Sequence, residues 1–149
     1  MKTLYTTKVT TRGGRDGVAT SDDGYLNIAL TTPKEMGGRG GEKTNPEQLF
    51  AAGYSACFEN ALRHMGRDKG WDTSDAVVTA SVGFSTNGKP NALLVLALVV
   101  SLDVTLPSLA QSDAIWLTNE AHRVCPYSCA IRGNIDVPIT VNGVDLQAV

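Results

Sequence analysis

The chain carries no excess of charge of either sign. Its 13 lysines and arginines stand against 15 aspartates and glutamates, for a formal net charge of −2. With no basic surplus to neutralise a phosphate backbone, no nucleic-acid partner is expected. A long hydrophobic run is also missing. The most apolar stretch, Ala92 to Val100, falls far short of the roughly 20 residues that span a bilayer, so it reads as a core strand and no membrane partner is expected. Met1 to Thr11 is polar and lacks the apolar segment of a secretory signal. Cysteine is scarce, at 3 residues. That is too few for a disulfide scaffold, and without an export signal these cysteines are expected to be reduced thiols of a cytoplasmic protein. The nucleophile-elbow, zinc-protease, phosphate-loop and dinucleotide-binding signatures are absent. So is C-x-x-C, which argues against thioredoxin-type exchange.

What is present suits one domain over 1–149, long enough to bury about two-thirds of its unfolded surface. Leu4 to Thr11, Val18 to Thr20 and Tyr25 to Thr31 read as strands, separated by the turns Arg12-Gly13-Gly14-Arg15-Asp16-Gly17 and Asp22-Asp23-Gly24. Pro33 to Lys43 is glycine-rich and reads as a surface loop. A central helix then runs from Pro46 to about His64 or Met65, with Gly66 as its stop. Thr44 or Asn45 can cap it, Pro46 suits its first turn, and Glu47 can close a capping box with Thr44. Leu49, Phe50, Ala51, Ala52, Gly53, Ala56, Phe58, Ala61 and Leu62 make this helix apolar or small nearly all round, so it belongs inside a core or an interface. Ala76 to Thr86 and Leu93 to Leu106 read as a hairpin across Asn87-Gly88. Ser112 to Val124 reads as a second helix stopped by Pro126, and Asn134 to Val141 as a last strand with an edge or bulge at Pro138. The expected class is α+β, with antiparallel strands packed on a long buried central helix and a second helix.

The residues that could carry chemistry are Cys57, Cys125, Cys129, Arg15, Glu47, His64 and His122. A thiolate is the reactive form of cysteine, and burial disfavours it. A buried guanidinium reverses the balance, because it stays charged when desolvated. One charge-assisted hydrogen bond, roughly 1.5–3 kcal/mol, set against about 1.36 kcal/mol per pH unit, is enough to leave a thiol largely ionised near neutrality. Arg15 in its glycine turn also reads as an ordinary solvated charge. Cys57 and Cys125 read equally as unrelated core cysteines, since nothing in their spacing joins them. Cys125 follows the second helix, whose negative end disfavours a thiolate there, so it suits a resolving thiol better than a primary nucleophile. Cys125 and Cys129 have a C-x₃-C spacing but no further ligands follow, so no metal site is expected. The two histidines lie near helix ends, where cap or surface roles are usual.

Asn45 to Phe58, together with Val124-Cys125-Pro126-Tyr127-Ser128, closely resembles the organic hydroperoxide resistance family, thiol peroxidases of the superfamily that includes osmotically inducible protein C. The likeness extends to Gly13-Gly14-Arg15-Asp16-Gly17, Ser21-Asp22-Asp23-Gly24 and Arg132-Gly133-Asn134-Ile135-Asp136-Val137, in the right order over nearly the whole chain. The resemblance implies a peroxidatic Cys57, a resolving Cys125, an activating Arg15 and a Glu47 that holds it. It implies an intertwined α+β homodimer with two sites at the subunit interface and no cofactor. The implied substrates are fatty-acid and other alkyl hydroperoxides, and the implied reductant is a dithiol such as the lipoyl group of a lipoylated protein. Phe50, Tyr54 and Phe58 can line an apolar substrate pocket, or simply fill the core. A sister-branch peroxidase of the osmotically inducible type, and a redox-sensing or binding module on the same fold, are the alternatives. Cys129 stands where the family usually has asparagine; four residues from the resolving cysteine, it can compete in disulfide exchange or simply be packed, and packing is the expectation.

Glu47 and Cys57 share the predicted helix, which bears on the number of chains in a site. Ten residues at 1.5 Å each put them roughly 15 Å apart along the axis, with side chains about 80° apart in azimuth. An arginine held by Glu47 would struggle to reach the Cys57 sulfur of the same helix. Two such helices packed antiparallel across a two-fold axis, meeting at small residues such as Ala52, Gly53 and Ala56, would bring Glu47 and Arg15 of one chain to Cys57 of the other.

Overall fold

The computed structural model describes residues 2–86 and 96–146. The chain divides into two compact units, Met1–Leu49 and Phe50–Val149. The class is α+β, as the sequence indicates.

In the first unit, β1 (Val9–Arg12), β2 (Val18–Ser21) and β3 (Asn27–Ala29) form an antiparallel sheet in that order. Val9 lies opposite Ser21 and Val18 opposite Ala29. The strands are shorter than the alternation suggests. Their burial is also slight: Ala19 and Leu30 are covered, whereas Leu4, Tyr5, Val9, Val18 and Tyr25 are exposed. Between β3 and the helix, the glycine-rich segment contains one 3₁₀ turn, Lys34–Met36. The loop is drawn in by a bridge between Leu30 and Thr44 and by a bond from Thr31 Oγ1 to the Gly40 carbonyl.

Helix α1 (Pro46–Lys69) begins in the first unit and continues through the second. Asn45 is its cap, with Oδ1 accepting the Gln48 N–H at 2.8 Å. The expected capping box is not made, because the Glu47 carboxylate is committed to Arg15. The helix also runs past Gly66, which was expected to end it. Gly66 is buried, and a Cβ there would meet Thr73 Cγ2 at 2.6 Å, so this glycine serves close packing within the helix. The stop is Gly70 at φ +69, a left-handed conformation that few other residues adopt. Burial is one-sided rather than all round. Tyr54, Phe58, Ala61, Leu62 and Gly66 face the core, and Ala52 and Ala56 are exposed in the single chain.

In the second unit, β4 (Val77–Thr86) pairs antiparallel with β5 (Leu96–Thr105), in register from Val77 opposite Thr105 to Thr86 opposite Leu96. The expected Asn87-Gly88 turn, and the expected strand start at Leu93, lie outside the described residues. After β5 come α2 (Gln111–Val124), α3 (Pro126–Ile131), β6 (Ile139–Val141) and β7 (Val144–Leu146). The sheet order is β4-β5-β6-β7, and β6 lies parallel to β5, so the sheet is mixed rather than antiparallel throughout. A crossover long enough to hold two helices is what permits parallel pairing. The predicted strand from Asn134 contracts to β6. Pro138 has no N–H to give the ladder, although its carbonyl accepts from Leu102 at 3.0 Å. A further strand, β7, returns across Asn142-Gly143, both at positive φ.

Alternate residues of β5, Val100, Leu102 and Val104, point into one core with Ile139 and Val141. They meet Ala114, Leu117 and Ala121, which recur every three or four positions along α2.

Candidate active site

Arg15 stands in the turn between β1 and β2. Gly13 and Gly14 both take positive φ there and lead into a 3₁₀ turn, Gly14–Asp16. Asp16 fixes the turn by accepting the Thr32 N–H at 2.9 Å and its hydroxyl at 3.1 Å. The guanidinium is thereby presented to Glu47 in the first turn of α1. Nη1 donates to Oε2 at 2.9 Å and Nη2 to Oε1 at 2.7 Å, a bidentate pair. The Arg15 hydrogen bonds hold the Glu47 carboxyl below the usual carboxylate range, and the same bonds raise the Arg15 guanidinium. Both groups are charged at neutral pH.

Cys57 and Cys125 meet inside the second unit. Cys57 is partly buried in the middle of α1, and Cys125, wholly buried, is the single residue between α2 and α3. Although 68 positions apart in sequence, their sulfurs lie 3.6 Å from each other in a thiol–thiol contact. A disulfide needs about 2.05 Å, so closure requires side-chain movement at two residues that already face each other.

Burial pushes the Cys57 thiol up from its ordinary value. The hydrogen bond with Cys125 acts in the same direction. Either thiol can donate in that contact, but burial is the larger influence and sets the sign. The opposing influence is a hydrogen bond from the Tyr127 main chain. Tyr127 lies in the first turn of α3, where helix N–H groups have no partner inside the helix. The second unit therefore brings together two thiols and one amide, with a net bias toward the neutral form of Cys57.

An aromatic cluster shares the core with the thiols. Tyr127 stacks on Tyr54 at 5.7 Å and 17°, and Phe50 meets Tyr127 edge-on at 5.8 Å and 79°. Tyr54 also meets Phe50 and Phe58 edge-on. Phe50 is half-buried and Tyr127 exposed, while Tyr54 and Phe58 are fully enclosed in the core. The Tyr54 hydroxyl pairs with the buried Ser128 Oγ at 2.8 Å, which pins α3 to α1. Gly53 lets Tyr127 lie this close, since a Cβ would come within 2.4 Å of its hydroxyl oxygen.

Sequence reasoning placed Pro126 as the end of a helix and missed the helix that starts there. Proline in a first turn was the available signal. With α3 overlooked, the part of Tyr127 and Ser128 beside the thiols was overlooked too. The same helix corrects the expectation for Cys129. Ser128 and Ile131 face inward, and Cys129 is exposed, its thiol donating to the Arg123 carbonyl at 3.3 Å. His122 sits in the last turn of α2 with its ring 6.3 Å from Phe58, and burial lowers its affinity for a proton. Among the described residues no three His, Cys, Asp or Glu side chains gather as metal ligands. No helix among them is long and apolar enough to cross a membrane.

The model of a family described as OsmC-like protein matches residues 38–140. The chain is 44% identical over 141 residues to an organic hydroperoxide resistance protein of Xanthomonas axonopodis pv. citri, covering 94% of this chain and 96% of the relative. A crystal structure of an organic hydroperoxide resistance protein from Legionella pneumophila superposes with a TM-score of 0.86 at 45% identity, covering 94% and 98% of the two chains. That of OhrB from Bacillus subtilis gives 0.80 at 39%, covering 93% and 99%.

Proposed function

Since this chain belongs to the organic hydroperoxide resistance proteins of the OsmC-like family, we propose that it is a cysteine peroxidase reducing alkyl and fatty-acid hydroperoxides to alcohols. The observation that carries the reading is the 3.6 Å contact between the Cys57 and Cys125 sulfurs. The Cys57 thiolate attacks the peroxide oxygen remote from the alkyl group. The O–O bond breaks, the alkoxide leaves and takes up a proton, and sulfur keeps the other oxygen as a sulfenic acid. The Cys125 thiol then displaces that oxygen as water and closes a disulfide. A dithiol such as a lipoyl group restores both thiols by exchange, becoming the disulfide itself. These steps call on no metal or bound organic cofactor. The protein acts as one functional domain in the cytoplasm.

Arg15, held by Glu47, ionises Cys57. The need for such a cation follows from the burial that raises the thiol. Because Glu47 and Cys57 are ten residues apart on α1, the Arg15–Glu47 pair of one chain serves Cys57 of a second, in an intertwined homodimer with two shared sites. The exposed Ala52 and Ala56 give α1 a small-residue face for close approach. Leu4 at 91% and Tyr25 at 95% exposure mark apolar surface in the first unit that a partner would cover. Phe50 and Tyr127 offer the substrate's alkyl chain its contact, Tyr54 supports both rings, and Phe58 packs on Tyr54 in turn.

Hydroperoxide consumption with a dithiol reductant tests the chemistry. Cys57→Ser should abolish turnover, and a Cys57→Ser protein that retains it sinks the reading. Mixing inactive Cys57→Ser chains with inactive Arg15→Ala chains, under subunit exchange, should restore part of the activity. A well-mixed heterodimer without recovery would show that each site is built from one chain.

A further inference from the structure

We propose that Cys129 is a third working thiol, which takes the disulfide over from buried Cys125 and presents it at the surface; this rests on the peroxidase reading above. Cys125 is 0% exposed, so an external reductant has no path to its sulfur while the fold is closed. Cys129 is exposed and one helical turn away. The Cys129 N–H donates to the Cys125 carbonyl at 2.9 Å, which fixes the two residues at an i, i+4 spacing across the start of α3. Helix geometry puts such Cα atoms about 6 Å apart, inside the roughly 4.4–6.8 Å that a disulfide spans. The Cys129 thiol is held by its bond to the Arg123 carbonyl at 3.3 Å, and Arg132 Nη1 lies 3.9 Å from its sulfur. The Cys125 sulfur faces Cys57 in the core and the Cys129 sulfur lies at the surface, so the transfer needs the first turn of α3 to open as well as the Cys129 thiol to leave the Arg123 carbonyl.

The transfer balances without a further reagent. The Cys129 thiol loses its proton to solvent, and its sulfur attacks Cys125 in the Cys57–Cys125 disulfide. The bond between Cys57 and Cys125 breaks, its electron pair leaves on Cys57 as thiolate, and a Cys125–Cys129 bond forms. A dithiol then reduces the new disulfide from its exposed end and is itself oxidised. Cys57 is meanwhile a thiolate again and can attack a second hydroperoxide before any reductant arrives. An attacking thiol one turn away has the advantage of proximity over one that must diffuse in.

Burst stoichiometry and disulfide mapping test this together. With excess alkyl hydroperoxide and no reductant, the wild-type chain should consume two equivalents in its fast phase, the second leaving Cys57 as sulfenic acid. Cys129→Ser should consume one. After acid quenching and alkylation, the oxidised wild type should yield the tryptic peptide Val124 to Arg132 with its two cysteines joined within it. An abundance of about a tenth or more of oxidised chains corresponds to an exchange equilibrium within about 1.4 kcal/mol of even. Cys129→Ser should yield solely the Cys57–Cys125 link, and its recycling by a dithiol should slow several-fold. A single wild-type equivalent, with Cys129 fully alkylated, overturns the relay and leaves the peroxidase reading standing. Peroxide consumption by Cys57→Ser would instead overturn that reading and the relay with it.

Discussion

Replacing Gly53 by alanine sets two effects of known sign against each other. Gly53 lies in mid-helix on α1, so helix propensity alone predicts that alanine stabilises by about 0.8–1.0 kcal/mol. The new Cβ, however, would stand 2.4 Å from the Tyr127 hydroxyl oxygen and 3.0 Å from its Cζ. The ring has to move, and it cannot do so freely. It is stacked on Tyr54 at 5.7 Å and meets Phe50 edge-on at 5.8 Å. Each such pair is worth about 0.5–1.5 kcal/mol, so losing both costs about 1–3 kcal/mol and outweighs the propensity gain. The expected net effect is a loss of about 1 kcal/mol, or roughly 2–4 °C in Tm for a chain of this size. Because Tyr127 also supplies the main-chain bond that favours ionised Cys57, the thiol should titrate at higher pH in the variant. Calorimetry and thiolate absorbance against pH measure the two quantities. A Tm that rises by the propensity gain, with an unchanged thiol midpoint, would refute the packing argument.

The Tyr54–Ser128 bond gives a second test: Tyr54→Phe leaves a fully buried hydroxyl without its partner. It should cost about 1–3 kcal/mol, and adding Ser128→Ala should recover much of that in chemical denaturation. His122 gives a third, since burial first and Arg132 second lower its pKa in the fold. It folds neutral, so its contribution is complete above the unfolded value of about 6.5 and is lost as pH falls through and below that value. Tm followed from pH 7.5 to 5 should decline less steeply in His122→Leu than in the wild type, and parallel slopes would contradict this.

The sequence spoke clearly where one local rule governed a segment. Asn45 and Pro46 announced the start of α1, and alternation announced β4 and β5, because capping and pleat are properties of adjacent residues. It misled where a local signal had a tertiary cause. Gly66 looked like a helix stop, yet it is the gap that admits Thr73. Pro126 looked like the end of a helix and is also the beginning of the next, so the chain turns at Cys125 and starts again. That turn brings the Tyr127 amide to Cys57 and puts Cys129 at the surface, and neither could be read while α3 was missing. Parallel pairing of β6 and the return of β7 depend on partners far away in sequence, although Asn142-Gly143 was a visible hairpin signal.

The candidate site divides along the same line. No spacing rule connects residues 57 and 125, or 15 and 47, and it was the likeness of whole segments to a known family that paired them. The shared site proposed above has a physical rationale in what each pair lacks. Left to the second unit, burial and the hydrogen bond with Cys125 favour the neutral Cys57 thiol, and one amide opposes them. The Arg15 guanidinium has the opposite problem, a charge whose bidentate carboxylate partner leaves the pair formally neutral. In the shared site proposed above, a thiol brought to that pair would lose its proton while Glu47 stays ionised, in keeping with the lowered Glu47 pKa. In that proposed group of one cation and two anions, the guanidinium would divide its N–H donors between carboxylate and sulfur. Lysine, with a point charge and no fixed fork, would have to give up one partner to serve the other.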